Sequence, residues 1–204
     1  MTIVGLIISF GLLLVAMTVH EFSHAFTAYL LGDRTAKSAG RLTLNPLAHI
    51  DPIWTLVIPI MLYVSSGGRF IFGAAKPVPV NYWALRDPKK DMFWVGVSGP
   101  LSNIIFAFLL SLLLRLIPLP EALFFIFSHL ILINLVLGVF NLMPIPPLDG
   151  SRVVASLLPQ ELSRQYLAVE PYGFIILMVL IWTGFFGYFV WPVVGYLLTL
   201  FGLG

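Results

Sequence analysis

Long apolar runs alternate with short polar stretches along this chain, and the run lengths predict the elements. The first run begins at Ile3 and meets no charged residue before His20. It predicts a helix from Ile3 to Leu31, stopped at Gly32-Asp33. A polar loop from Asp33 to Asp51 carries Arg34, Lys37 and Arg41 and an Asn45-Pro46 turn signal. The next apolar piece, Ile53 to Val64, has Pro52 before it and Pro59 inside it. A bilayer core about 30 Å thick needs roughly 20 helical residues, so this piece is short for a span and predicts a re-entrant segment. A second polar stretch runs from Gly67 to Asp91. Within it, Phe70 to Val80 holds Lys76-Pro77-Val78-Pro79 and predicts a short extended or β edge.

Two further helices follow, Met92 to Leu116 and Ala122 to Leu142, joined by a turn at Pro118-Leu119-Pro120. The first opens with small residues, Gly96-Val97-Ser98-Gly99-Pro100, which let helix backbones approach closely in lipid. Asn103 in it, and His129 and Asn134 in the second, read as hydrogen-bonding groups between helices. The second helix breaks at Asn141 to Gly150, where Pro144, Pro146 and Pro147 cannot continue it. An amphipathic connection spans Ser151 to Glu170. The last apolar stretch, Tyr172 to Leu203, exceeds one span, and Gly184, Gly187 and Pro192 leave one helix or two open.

Composition turns this pattern into a fold class. The chain has 204 residues, 59% hydrophobic and only 10% charged, with a mean hydropathy of +1.00. These values predict an all-α polytopic membrane protein, a bundle of about four to six transmembrane helices with one re-entrant segment. The expectation is a single domain over residues 1–204, with no large soluble part. No positive stretch precedes the first apolar run, so that run is expected to remain as a mature helix. The net charge of +2 is small and argues against a nucleic-acid partner. There is no cysteine, so any metal must be held by His, Asp or Glu.

The chemistry concentrates in His20-Glu21-Phe22-Ser23-His24. One helical turn separates His20 from His24, so both imidazoles can reach one ion, while Glu21 stands beside them as a base for water. Such groups at membrane depth are costly unless they serve each other or a ligand. Two histidines leave a zinc site one protein ligand short. Asp149, after the proline break, is a candidate for it, and His49 is a candidate second-layer or substrate-side residue.

Charge distribution tests that candidate. The loops at 33–51, 67–91 and 151–170 hold ten of the eleven basic residues; Arg115 is the other. The positive-inside rule puts all three loops in the cytoplasm. This holds only if Ile53–Val64 leaves on the side it entered. The histidine pair and Asp149 then reach similar depth from the same, cytoplasmic side.

These motifs resemble the site-2 protease family of intramembrane zinc metalloproteases. The resemblance rests on His20 to His24, on Gly99-Pro100-Leu101-Ser102-Asn103, and on Asn141 through Pro144 to Asp149-Gly150. It covers roughly residues 10 to 160. It implies that His20, His24 and Asp149 hold one Zn2+ per chain, that Glu21 is the general base, and that Asn141 holds the substrate or the developing oxyanion. It also implies a multi-pass cell-membrane protein with a lipid-embedded active site and transmembrane protein substrates. Asn45 to His49 and Lys76 to Pro79 resemble features of a compact prokaryotic subgroup, and no PDZ or C-terminal regulatory domain is recognisable. The substrate and the oligomeric state stay open. The competing class is a membrane metal-ion transporter using the same side chains, against which stands the lack of an inverted repeat.

Overall fold

The computed structural model describes residues 3–65, 73 and 75–203. Its helices in chain order are α1 (Ile3–Leu30), α2 (Thr35–Ser38), α3 (Ile58–Ser65), α4 (Pro88–Leu116), α5 (Glu121–Asn141), α6 (Asp149–Leu157), α7 (Gln160–Leu167), α8 (Gly173–Trp182) and α9 (Phe185–Leu200). No strand occurs among the described residues. Among the described residues, four stretches are long and apolar enough to cross a membrane: Val4–Leu30, Pro88–Leu116, Glu121–Asn141 and Gln160–Trp182. The protein is an all-α, multi-pass membrane protein. Its outer surface is apolar, with Ile7, Leu116, Phe125 and Trp182 exposed, as lipid contact requires.

α4 is the central helix, packed against α1, α5 and α6, while α5 also meets α1 and α9. α4 begins at Pro88, earlier than the apolar run suggests. Asp87 caps it by accepting the Lys90 N–H, and a proline suits the first helical turn. Pro100 lies inside α4 and is fully buried. Beside it, a Cβ on Gly138 would stand 2.9 Å from the Pro100 carbonyl oxygen, so α4 and α5 cross at backbone contact. The main apolar core lies among α4, α5, α8 and α9, around Ile131, Leu135, Leu177 and Val194.

The loop after α1 is held by side chains. Asn45 accepts the Leu47 N–H and opens a 3-10 turn at Pro46–His49, as the Asn-Pro pair predicts. Asp51 accepts the N–H groups of Trp54 and Ile53, and these two bonds hold its carboxyl below the usual carboxylate range. A π-helical turn at Pro52–Val57 leads into α3. At 1.5 Å per residue, Pro52–Ser65 reaches only about 21 Å. The Arg86 N–H, just before α4, donates to the Leu31 carbonyl, just after α1, at 3.0 Å. The end of α1 and the start of α4 therefore lie on one side of the bundle. Phe70 to Phe72 of the expected edge lie outside the described residues. Residues 75–80 run without helix or strand beside α1.

The last apolar stretch is two helices, split at Gly184, whose φ of +74° is the left-handed conformation that glycine adopts without strain. Pro192 stays inside α9. The Ser151–Glu170 connection contains most of α6, whose first residue is Asp149, and all of α7.

Candidate functional site

His20 and His24 project from the second half of α1 into the interior, 6% and 8% exposed. Their Nε2 atoms are 3.1 Å apart. Asp149 Oδ2 lies 2.9 Å from His20 Nε2 and 3.3 Å from His24 Nε2. Asp149 arrives here because the proline break turns the chain back from α5 and α6 starts against the end of that helix. A Cβ on Gly150 would lie 2.5 Å from the Met143 carbonyl oxygen, so only glycine permits that approach. As the first residue of α6, Asp149 also sits where a helix favours negative charge.

The hydrogen bonds behind the histidines fix their tautomers. Asn134 Nδ2 donates to the Leu130 carbonyl at 2.8 Å, which turns Asn134 Oδ1 toward Asn103. Asn103 Nδ2 donates to that oxygen at 2.7 Å and to the Ala16 carbonyl at 3.0 Å. Asn103 Oδ1 therefore faces His20 Nδ1, at 2.7 Å, and Nδ1 must be the donor. His24 Nδ1 faces the Val95 carbonyl at 2.7 Å and must donate as well. In both neutral rings the lone pair is then on Nε2, and both lone pairs point toward one carboxylate oxygen. Three electron-pair donors so close repel each other unless a proton or a cation stands between them.

These spacings fit a metal. Ligand atoms about 2.0–2.1 Å from a tetrahedral zinc lie about 3.3 Å from each other, and the three observed separations are close to that. The three residues form the His/Asp group able to hold an ion among the described residues. A three-residue set with a free fourth position is the pattern of catalytic rather than structural zinc.

Glu21 does not enter this set. Its Oε2 accepts the Val78 N–H at 2.7 Å. Both Glu21 and Asn141 line a cavity of about 620 Å³ that also contains His20, His24 and Asp149. Trp54 and Phe174 meet edge to face across another part of its wall, with ring centres 5.4 Å apart. Arg152, paired with Glu170, closes part of the rim. Asn141 spends its amide on the Leu137 carbonyl of its own helix, at 2.9 Å, and makes no bond to the histidine–aspartate group. His49 is buried in its loop, where Nε2 donates to the Thr43 carbonyl, and it does not line the cavity. His129 joins α5 to α1 through Ser9, and Asn134 joins α5 to α4, as expected of interhelical groups.

Known proteins resemble this chain over most of its length. Residues 7–182 match the profile of Peptidase family M50. The chain belongs to peptidase family M50. It is 41% identical over 189 residues to a Bacillus subtilis (strain 168) protein named "Putative zinc metalloprotease YwhC", covering 88% of this chain and 82% of that one. It is 34% identical over 169 residues to Rip2 of Mycobacterium tuberculosis (strain H37Rv), named in the same way, covering 82% of this chain and 63% of Rip2. No solved structure matches.

Sequence reasoning missed three supports of the site. Asn103 reads as packing between helices, yet it carries the hydrogen bond to His20. Val95, Gly99 and Asn103 recur every four residues and so share one face of α4, which is the signal that was present. A Cβ on Gly99 would fall 2.7 Å from His24 Cε1 and 2.8 Å from His20 Cε1, so a bare backbone is needed there. The third support is the Val78 amide on Glu21, a backbone group with no side-chain signature.

Proposed function

We propose that this protein is an intramembrane zinc metalloprotease that hydrolyses peptide bonds of transmembrane protein substrates. The observation that carries this reading is the convergence of two tautomer-fixed Nε2 lone pairs on one Asp149 oxygen, with Glu21 on the same cavity wall. His20, His24 and Asp149 would hold the ion. When bound, zinc supplies a Lewis acid that activates water and polarises the scissile carbonyl. Glu21 takes the proton of the attacking water and hands it to the leaving amine. Asn141 lines the same cavity, and its amide, once it leaves the Leu137 carbonyl, would steady the oxyanion.

The substrate must be a locally unwound segment, because a helical amide is shielded by its own hydrogen bonds. Pairing such a segment along Lys76 to Pro79 finds little support. The Lys76 N–H and C=O and the Val78 N–H are already bonded, and Pro77 and Pro79 have no N–H. We place the protein in the cell membrane, with the basic loops and the active-site mouth toward the cytoplasm and Pro52–Ser65 entering and leaving on that side. The bond between Arg86 and Leu31 supports the last point.

The test is zinc content and cleavage in detergent-purified protein. Wild type should hold about one zinc per chain, and Asp149→Ala should lose it. Glu21→Gln should keep its zinc and stop cleaving a single-span test protein. Turnover by a zinc-loaded Glu21→Gln variant refutes the base assignment, and full zinc affinity in Asp149→Ala refutes the ligand set.

A further inference from the structure

The stretch from Lys76 to Asn81 touches the site but takes no part in binding the ion. It runs along the cavity wall and is pinned at both ends. The Lys76 N–H donates to the His49 carbonyl at 2.9 Å, and the Lys76 carbonyl accepts from Arg41 Nη2 at 2.6 Å. The Asn81 N–H donates to Asp33 Oδ2 at 2.7 Å. Arg41, His49 and Asp33 are themselves buried, so the pins are fixed points. Between them, Val78 packs against Ala25 of α1 and Ala36 of α2.

Prolines flank Val78 on both sides. Each fixes its own φ, lacks an N–H, and holds the residue before it in extended backbone. The stretch Pro77-Val78-Pro79 therefore presents a single N–H, and that N–H meets Glu21 Oε2 at 2.7 Å. We propose that the Val78 amide, held by the Lys76–Asn81 strap, is the positioning donor for Glu21: it ties Oε2 and leaves Oε1 as the oxygen that meets water. This inference rests on the reading of Glu21 as general base. It gives His49 and Arg41 a place in the mechanism as anchors of the strap, at one remove from the site. It also explains a strap whose prolines leave it poorly suited to pairing with substrate.

The experiment compares Val78→Pro, which deletes the N–H while keeping extended backbone, with Val78→Ala, which keeps the N–H. Zinc content, kcat and KM are measured on a tagged single-span test protein whose helix is interrupted by a Gly-Ser pair. Val78→Pro should retain zinc and KM and lose at least about tenfold in kcat, because it removes a hydrogen bond to a charged group and its ring Cδ, standing where the N–H pointed, pushes Oε2 from its place. Val78→Ala, which loses packing against Ala25 and Ala36 but keeps the N–H, should stay well above Val78→Pro in kcat. Wild-type kcat in Val78→Pro overturns the proposal. So does a raised kcat, the mark of a strap that blocks the base, and so does a loss confined to KM, the mark of a substrate contact. If Val78→Pro fails to fold and bind zinc, Arg41→Met decides. It releases the Lys76 carbonyl, and a lowered kcat at constant zinc and KM supports the strap, whereas an unchanged kcat overturns it. Glu21→Gln runs in parallel. Activity there sinks the base reading itself, while an inactive Glu21→Gln beside a fully active Val78→Pro sinks only the strap.

Discussion

Gly99→Ala should abolish metal binding without unfolding the bundle. The added methyl would sit 2.7 Å from His24 Cε1 and 2.8 Å from His20 Cε1, and closer still to His24 Nε2. Ordinary contact begins near 3.4 Å, so both rings must retreat by at least about 0.6 Å, whereas metal sites tolerate only about 0.2 Å in ligand distance. His24 has nowhere to go. Its Nδ1 is bonded to the Val95 carbonyl, one turn before Gly99 on the same helix, so α4 cannot step back without breaking that bond. The overpacking itself costs about 1–3 kcal/mol, which a large bundle can absorb. Displacing two ligands together should weaken zinc by more than the roughly 10–100-fold typical of losing an outer hydrogen bond. The assay is zinc affinity by chelator competition on detergent-purified protein, with thermal unfolding alongside. Gly11→Ala is the matched control, since nothing lies within 4 Å of its Cβ position. A Gly99→Ala protein with one zinc at wild-type affinity would refute the placement of α4 against the histidine pair.

Two further expectations are independent of that one. Asn103→Ala removes the acceptor of His20 Nδ1 and the donor to Asn134, so zinc affinity should fall about 10–100-fold while Asp149 still binds; an unchanged affinity returns Asn103 to a packing role. Because the chain has no cysteine, single cysteines map its sidedness cleanly. Residues Lys37, Lys89 and Arg164 replaced by cysteine should label from one side with an impermeant maleimide, and Glu121→Cys from the other. Labelling of positions 37 and 89 from opposite sides would make Pro52–Ser65 a full crossing.

Helices were legible where bilayer thickness dictates them. α1, α4 and α5 follow from uninterrupted apolar runs, and their starts and stops differ from the sequence reading by a few residues set by capping groups such as Asp87. The split at Gly184 was foreshadowed but undecidable, since a glycine in an apolar run serves a straight helix or a break equally well. In the site, His20, His24 and Asp149 carried their own signal: costly side chains with ligand chemistry and matched depth. Asn103 carried only its spacing from Val95 and Gly99 on one face of α4, because a buried asparagine in a membrane helix also serves to glue helices, and only the direction of its amide separates the two uses. The amides and carbonyls of Val78 and Val95 were invisible in principle, since every residue has them and only the fold aims them.

The distribution of donors around α4 explains why ligand groups gather at this site. Lipid offers no partner to a buried polar group, so each must be answered by protein. Around α4 the answers form a chain in which every N–H is pointed away from the Nε2 atoms. Asn134 gives to Leu130, Asn103 gives to Asn134 and to Ala16, His20 gives to Asn103, and His24 gives to Val95. With neutral rings the chain thus ends on two nitrogen lone pairs and one carboxylate oxygen. A fold seeking only stability would have closed that gap with a hydroxyl or an amide. Here Gly99 instead keeps a side chain out of it, and the prolines between α5 and α6 deliver a carboxylate into it. Nothing but a cation or a proton completes such an arrangement. The bundle concentrates its unmet electrostatic demand where a peptide bond and a water could be brought together.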